Sequence, residues 1–149
     1  MAGKDVTISE VKSMKSSLLL EIFIFYSWYY SFFFFFINLS LMTYKAMNLY
    51  YPPNQLSWDY FSCFLYAFVE GVRLFQFSKG NSKLDIESFF WALLFCVPIL
   101  AYHGYNLDMQ TYVTRIDTVM NSAAIFWVCS EFIIGALFTV YIYLDLNIY

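Results

Sequence analysis

The amino-acid sequence predicts an all-α integral membrane protein, a four-helix bundle with both termini on the cytoplasmic side. Of the 149 residues, 61% are hydrophobic and only 13% are charged, which is more apolar surface than a soluble chain of this length buries. The apolar residues also fall into four long segments, and roughly 20 apolar residues in a helix are enough to cross a bilayer. A water-soluble single domain is therefore excluded.

Aromatic content and net charge narrow the class of partner. Aromatic residues make up 24% of the chain, and positions 32–36 are five consecutive phenylalanines. Such a run leaves a large apolar patch that lipid covers better than water does. The formal net charge is -3, so the chain lacks the basic patch that nucleic-acid binding requires. We expect the lipid bilayer, and no nucleic acid, as a partner.

The chain begins with a polar segment, residues 1–17, which we predict to be cytoplasmic. The first span follows over residues 18–44 and ends at Lys45. Pro52 and Pro53 then prevent helix continuation in the first loop, because proline lacks the backbone N–H that a helix needs. Residues 18–149 are expected to form one transmembrane domain.

The second predicted span, residues 56–77, is the least apolar of the four. It contains Asp59, Glu70 and Arg73. Ionisable side chains inside a membrane are costly, so they usually face a partner or water. We therefore expect these three to point into the bundle.

The third and fourth predicted spans cover residues 88–105 and 113–144. The third contains Pro98, which removes one helical hydrogen bond and predicts a bend. Beyond its amphipathic first turns, the fourth is apolar except for Glu131.

The distribution of Lys and Arg predicts the orientation. Residues 1–17 contain three lysines, and Lys79 and Lys83 flank the second loop, whereas the first and third loops have one basic residue each, Lys45 and Arg115. Cytoplasmic loops are enriched in these residues, which places both termini in the cytoplasm. Lys79 and Lys83 are expected to be solvated, with contact to lipid headgroups as the alternative. The segment 78–81 predicts a helix stop with Gly80 in the left-handed conformation.

Polar residues within the spans recur at helical spacing. On span two, Glu70 and Arg73 are three residues apart, close enough to pair. On span four, Asn121 and Glu131 lie on one face together with small residues that let helices approach closely. We predict an intramembrane polar cluster of Glu70, Arg73, Asn121 and Glu131, in which Glu70, Arg73 and Glu131 tie span two to span four. The functional alternative is a proton or ion path through the carboxylates.

No motif predicts catalysis, a cofactor or a metal site, so we expect a protein that is not an enzyme. The sequence has no nucleophile elbow, no phosphate-binding glycine loop and no paired histidine motif. His103 is the single histidine and is interpreted as an interface residue rather than a ligand. Cys63, Cys96 and Cys129 lie in apolar segments without metal-ligand spacing, and we interpret them as packing residues.

Several short motifs resemble a known family. They include Leu20-Glu21-Ile22, Tyr51-Pro52, Glu70 with Arg73-Leu74-Phe75, Lys79-Gly80-Asn81, Gln110-Thr111-Tyr112-Val113 and Cys129-Ser130-Glu131. In order and spacing, over residues 20–140, they resemble the transmembrane-17 family of tetraspan proteins, with the 216-like branch favoured over the 17-like branch. Residues 85–105 depart most from the family pattern.

The resemblance implies a non-enzymatic scaffold subunit of the ciliary transition-zone complex, which supports ciliogenesis and gates the entry of ciliary membrane proteins. Its implied partners are tectonic-type proteins, other small multispan proteins and C2-domain proteins. Two other readings of the residues stay open. They are an accessory subunit of a large respiratory complex and a small proton or ion conductor.

Overall fold

The fold consists of four long α-helices in a computed structural model that describes residues 18–52 and 54–148, with side chains through Leu144. The helices are α1 (Leu18–Asn48), α2 (Gln55–Lys83), α3 (Ile86–Asp108) and α4 (Arg115–Ile148). The described residues contain no β-strand. The all-α prediction is confirmed, while residues 1–17, predicted as a cytoplasmic segment, lie outside the described part of the chain.

Three helices are long and apolar enough to cross a membrane by length and composition: α1, α3 and the part of α4 from Arg115 to Leu144. Helix α2 is 29 residues long but less apolar, because its charged residues reduce its hydropathy. Those residues point inward, since Asp59, Glu70 and Arg73 are all buried. Its outer face carries exposed aromatic residues such as Phe61 and Phe68, so α2 also presents an apolar surface to its surroundings.

The helices pack in chain order around a common core. Each packs against the next, and α4 closes the bundle against α1 over a smaller contact. The core is apolar and partly aromatic, because every helix turns one stripe inward. The Phe77 ring of α2 reaches across the bundle to Gly135 of α4, where an added Cβ would lie 2.6 Å from Phe77 Cε1.

The helix boundaries extend most of the predicted spans. Helix α1 continues to Asn48, four residues beyond its predicted end, and α3 runs uninterrupted past Pro98 to Asp108. Helix α2 continues to Lys83, so the predicted stop at Gly80 is wrong. Gly80 is helical because its bare backbone packs against the Phe89 ring, where a Cβ would lie at 3.1 Å.

The turn between α2 and α3 explains where α2 ends. Leu84 adopts a left-handed conformation, φ 51°, and its backbone N–H donates to the Gly80 carbonyl. Asp85 then caps α3 by accepting a hydrogen bond from the Glu87 backbone N–H, a group that a helix start leaves unpaired. It also accepts from the Ser88 hydroxyl. The bond from Ser88 is the main cause that lowers the pKa of Asp85 below its usual value.

Candidate functional site

Arg73 lies at the centre of a buried ion-pair network between helices. Its Nε and Nη2 donate to the two carboxylate oxygens of Glu70 at 2.8 and 2.7 Å, and its Nη1 donates to Glu131 Oε2 at 2.7 Å. The arrangement on Glu70 is bidentate, which is the strongest form of an arginine–carboxylate contact. Sequence spacing had assigned Glu70, Arg73 and Glu131 to inward faces of α2 and α4, and the structure brings the three together.

Helices α1 and α3 complete this network. Ser31 donates to Glu70 at 3.0 Å, Ser27 donates to Glu131, and the Trp127 indole donates to Ser27 at 2.6 Å. Cys96 Sγ of α3 accepts a long contact from Arg73 at 3.8 Å. We call Ser27, Ser31, Glu70, Arg73 and Glu131 the Arg73 cluster.

The ion pairs of the Arg73 cluster are buried, and this makes them important for the stability of the bundle. Arg73 and Glu131 are fully buried, and Glu70 is 3% exposed. Removing one partner of such a pair leaves an uncompensated charge in a low-dielectric interior, which costs about 3–5 kcal/mol in buried protein sites. The cluster therefore holds the helices in one register.

Asn121 does not join the Arg73 cluster, so this part of the predicted set is corrected. It lies on α4 nearly three turns from Glu131, and its Oδ1 contacts His103 Nδ1 at 2.8 Å and Asn106 Nδ2 at 3.4 Å. Its own amide donates to the Asp117 carbonyl. Asn121 therefore ties α4 to α3 in a separate group.

His103 is a core residue, not the interface residue that its position near the end of a span suggested. It is fully buried, and the rings of Phe34, Tyr66 and Tyr102 surround it with centroids 5.1 to 5.6 Å away. Its Nδ1 faces Asn121, while Nε2 has no protein partner. His103 follows Cys96 and Ile99 at steps of three and four residues, which places it on the buried face of α3. Its location near the end of the span does not show this by itself.

A third buried group joins the end of α1 to the start of α4. Lys45 Nζ lies 2.6 Å from Asp117 Oδ2 and donates to the Tyr112 carbonyl and to Gln110 Oε1 at 2.8 and 3.2 Å. The same carboxylate accepts from the Thr114 backbone N–H and hydroxyl, both at 2.8 Å. Lys45 is fully buried, so it does not count as a free loop cation.

The first loop packs onto Asp59 at this same end of the bundle. Tyr105 donates to Asp59 Oδ1 at 3.0 Å, and the hydroxyl of Tyr112 donates to the Tyr50 carbonyl at 2.6 Å. Tyr51 lies in the loop beside Asp59. Burial, followed by the negative charge of Asp59, raises the pKa of Tyr51 to about 12, so this phenol stays neutral at physiological pH.

At the opposite end, Asn81 Nδ2 of α2 donates to Glu21 Oε2 of α1 at 2.7 Å. Buried apolar side chains lie between this contact and the Arg73 cluster along both helices, Phe77 between Arg73 and Asn81 on α2 and Ile24 between Glu21 and Ser27 on α1. Two cavities of about 10 Å³ each, the size of a single water molecule, lie between the helices in the part of the chain that the structure describes. One is lined by His103 with Ser27, Ser31, Glu70 and Arg73, the other by Asp117 and Asn121.

The remaining predicted residues lie at the surface or carry no ligand geometry. Lys79 Nζ is 3.7 Å from Asp85 Oδ2 and about 39% exposed, and Lys83 is exposed. Contact of either with headgroups stays a prediction. The described cysteines are unpaired thiols, and the described His, Cys, Asp and Glu residues form no group of three or more able to hold a metal ion.

Sequence reasoning missed the Lys45–Asp117 group, although one signal was present. Thr114 and Asp117 have the spacing of a capping box, in which an N-cap hydroxyl and an acidic residue three positions later serve each other's backbone N–H. The structure shows both bonds of this box, with Asp117 N donating to Thr114 Oγ1 at 3.3 Å and Thr114 N donating to Asp117 Oδ2 at 2.8 Å. The partner Lys45 is 72 residues away, so no local pattern identifies it.

Comparison with known proteins places this bundle in a family. The model of the transmembrane-17 family, described as "Predicted membrane protein", matches residues 22–128. The chain belongs to the transmembrane-17 family. The resemblance predicted from the motifs is thereby confirmed, and the matched region contains Glu70 and Arg73 and ends three residues before Glu131.

The chain is also similar, over most of its length, to several relatives that share one name. The chain is 33% identical over 126 residues to transmembrane protein 216 of Bos taurus, covering 85% of this chain and 89% of the relative. It is 35% identical over 125 residues to transmembrane protein 216 of Homo sapiens, covering 82% and 84%. The Danio rerio protein of that name is 31% identical over 137 residues, covering 91% and 84%. No solved structure matches this transmembrane-17 chain.

Proposed function

We propose that this chain is a non-enzymatic scaffold subunit of the ciliary transition-zone complex, where it supports ciliogenesis and the gating of ciliary membrane proteins. The observation that carries the scaffold role is the division of the bundle into an ionic interior and an apolar exterior. Membership of the transmembrane-17 family supports the ciliary site.

The interior of the bundle is used for cohesion. Arg73, Glu70 and Glu131 join α2 to α4, and Ser27 and Ser31 bring in α1. Lys45 and Asp117 hold the loop end together. Internal pairing of this kind keeps four helices in one arrangement without help from a ligand.

The exterior is suited to lateral contacts in a membrane. Helix α1 exposes aromatic residues along most of its length, and α2 and α4 continue this apolar surface. Transmembrane helices associate through close van der Waals packing because lipid provides no hydrophobic drive between them. The expected neighbours are tectonic-type proteins and other small multispan proteins, together with C2-domain proteins on the cytoplasmic side.

All four helices are proposed to cross the membrane, with both termini cytoplasmic. The charges of α2 are buried, and its outer face is apolar, so its crossing costs less than its overall hydropathy implies. Because Lys45 is paired with Asp117, the first loop has no free cation, while Lys83 is exposed at the second loop. This difference supports a cytoplasmic second loop.

The conducting alternative is less well supported by the interior. The two water-sized cavities among the described residues each have room for one water molecule, and the buried side chains of Phe77 and Ile24 lie between the Arg73 cluster and the Glu21–Asn81 contact. A proton path needs a continuous chain of hydrogen-bonding groups or water, and these apolar side chains interrupt it.

Endogenous tagging and light microscopy test the cellular role. We expect a ring at the base of cilia, and affinity purification of the tagged chain should recover tectonic-type and other transition-zone proteins. A mitochondrial signal with co-isolated respiratory subunits would overturn the proposal in favour of the respiratory alternative.

Liposome flux separates a scaffold from a conductor. The purified chain, reconstituted with a pH-sensitive dye inside the vesicles, is expected to give the same proton leak as empty vesicles. A leak that disappears in Glu131→Gln but persists in the exposed-residue control Phe75→Leu would contradict the scaffold role.

A further inference from the structure

A lateral groove opens between α1 and α2 near the middle of the bundle. Its volume is about 260 Å³, far more than the two water-sized internal cavities. Four aromatic side chains of α1 form one wall: Trp28, Phe32, Phe35 and Phe36. The positions span two helical turns, or about 12 Å at about 1.5 Å of rise per residue.

The wall on α2 is flat because its residues are small. Ala67 and Gly71 line it, with Leu74 and Tyr66 at its ends. A Cβ added to Gly71 would meet nothing within 4 Å, so no protein packing requires the missing side chain there. The open space at Gly71 belongs to the groove.

The groove also has a polar floor. Ser31 and Glu70 both line it, and Glu70 is otherwise 3% exposed. Its carboxylate accepts three hydrogen bonds, from Ser31 Oγ, Arg73 Nε and Arg73 Nη2. An ionised carboxylate has about four acceptor positions, which leaves one for a ligand.

We propose that this groove is a binding site for a sterol-class lipid, whose rigid rings lie between the α1 aromatic wall and the Ala67–Gly71 face and whose single hydroxyl donates to Glu70 or Ser31. The inference does not depend on the cellular location proposed above. It assigns a ligand site to the outer surface of a bundle whose interior is already filled.

The chemistry of the groove favours this ligand over the other molecules in a bilayer. An acyl chain has no donor for Glu70 and loses torsional freedom when it is held, whereas a fused ring system is already rigid. A transmembrane helix of a partner is about 10–12 Å across and rises about 5.4 Å per turn, so one turn occupies roughly 400 Å³, more than the groove volume of about 260 Å³. Ser31 and Glu70 lie near the middle of their helices, so a bound hydroxyl would be away from headgroup water and would need these two partners.

Photolabelling tests the proposal on the full chain in phosphatidylcholine nanodiscs. The probe is a cholesterol analogue with a photoreactive diazirine on the ring system, and labelled positions are mapped by mass spectrometry. We expect labels within residues 28–36 and 66–74. Gly71→Leu fills the groove and is expected to weaken labelling about tenfold, which corresponds to about 1.4 kcal/mol.

Gly104→Leu is the matched control, because a Cβ at Gly104 also meets nothing within 4 Å and the residue lies on the exposed side of α3. It should label as the wild type does. Thermal melting reports whether both variants fold, and Ala67→Phe is a second groove-filling variant if Gly71→Leu does not. Equal labelling of wild type and a folded groove-filling variant would overturn the proposal, as would labelling that maps to another face.

Competition identifies the role of the hydroxyl. Unlabelled cholesterol should displace the probe, while cholestane, which lacks the 3-hydroxyl, should compete at least about fivefold less well, equivalent to about 1 kcal/mol. Ser31→Ala is expected to reduce the difference between the two competitors. If cholestane competes as well as cholesterol in the wild type, the groove takes any apolar lipid and the sterol assignment is wrong.

Discussion

Arg73 of α2 donates from Nη1 to Glu131 Oε2 of α4 at 2.7 Å, across 58 positions of the chain, and both side chains are fully buried. The other edge of the same guanidinium binds Glu70. One arginine thus serves carboxylates from its own helix and from a neighbouring one. Both carboxylates are buried and cannot exchange this partner for water. The position of α2 relative to α4 therefore depends on the Arg73 side chain.

Arg73→Leu is expected to lower the free energy of unfolding by about 3 kcal/mol, since two buried carboxylates lose their cation. Glu131→Leu should be less costly in the Arg73→Leu background than in the wild type, with a coupling energy of about 1–3 kcal/mol. Unfolding in mixed micelles, followed by circular dichroism, measures the double-mutant cycle. If the two changes in the free energy of unfolding add strictly, Arg73 and Glu131 do not interact. Phe75→Leu, an exposed residue of the same helix, is the control and should change stability by less than about 0.5 kcal/mol.

Gly135→Ala tests the packing of the Phe77 ring of α2 against Gly135 of α4. The new methyl group would lie 2.6 Å from Phe77 Cε1, and Phe77 is itself fully buried against Phe89. Overpacking of this kind costs about 1–3 kcal/mol, so we expect a lower melting temperature. Gly104→Ala, in open space on α3, is expected to leave the melting temperature unchanged or raise it, because alanine favours the helix. An equal effect of both substitutions would mean that the Phe77 ring does not pack on Gly135.

Lys45→Met is expected to destabilise the loop end of the bundle by about 3 kcal/mol, because Asp117 would be left buried without its cation. Thr114→Ala removes a cap hydroxyl and should cost less, about 1 kcal/mol. Hydrogen exchange of the first turns of α4 measures both. Equal protection in Lys45→Met and wild type would show that Asp117 does not need Lys45.

We expect the Asp85 carboxylate to make a pH-dependent contribution to the stability of the folded chain. Its pKa is lower in the folded chain than in the unfolded one, chiefly because Ser88 donates to its carboxylate. The stabilisation is therefore fully present above the unfolded pKa of about 3.9 and is lost as the pH falls through the folded pKa. Asp85→Ala should have a lower melting temperature than the wild type at pH 7, and the part of this difference due to charge should shrink as the pH falls below about 4 and vanish below the folded pKa.

Asp85→Asn separates the charge from the cap, because asparagine still accepts a hydrogen bond at a helix N-terminus. Its melting temperature is expected to depend less on pH between 5 and 3 than that of the wild type. A wild-type curve parallel to that of Asp85→Asn throughout would show that the Asp85 charge contributes nothing.

Topology is measured by protease protection in sealed vesicles. An epitope tag at the N-terminus and one inserted between α2 and α3 should be cleaved from the cytoplasmic side, whereas a tag inserted between α1 and α2 should be protected. Cleavage of the tag between α1 and α2 together with the N-terminal tag would show that α1 does not cross.

Much of the fold was predictable because lipid imposes a simple rule on the sequence. A spanning segment has to satisfy its backbone internally, so a long apolar stretch reads as a helix even when its ends are uncertain. The ends themselves were decided by contacts. Helix α2 passes through Gly80 because Phe89 of the next helix packs there, and it stops where Leu84 takes a left-handed conformation.

Some contacts between polar residues were likewise predictable from the sequence, and others were not. Glu70 and Arg73 are three residues apart, and an i,i+3 pair is visible in one helix. The depth of Glu131 followed from counting residues along two parallel helices. Nothing local linked Lys45 to Asp117, and Asn121 was grouped with Glu131 because both lie on one face, although the structure places it beside His103.

By itself, the sequence determined that this chain forms membrane helices and that its ionic residues face inward. The length of an apolar segment and the three-to-four-residue spacing of polar positions are local properties of a single helix, so they can be read without the fold. Only the tertiary structure decided which charges meet, where the helices end and that a groove with a polar floor opens between α1 and α2. Those features arise from distances between segments that are 39 to 104 residues apart, and such distances exist only once the bundle has closed.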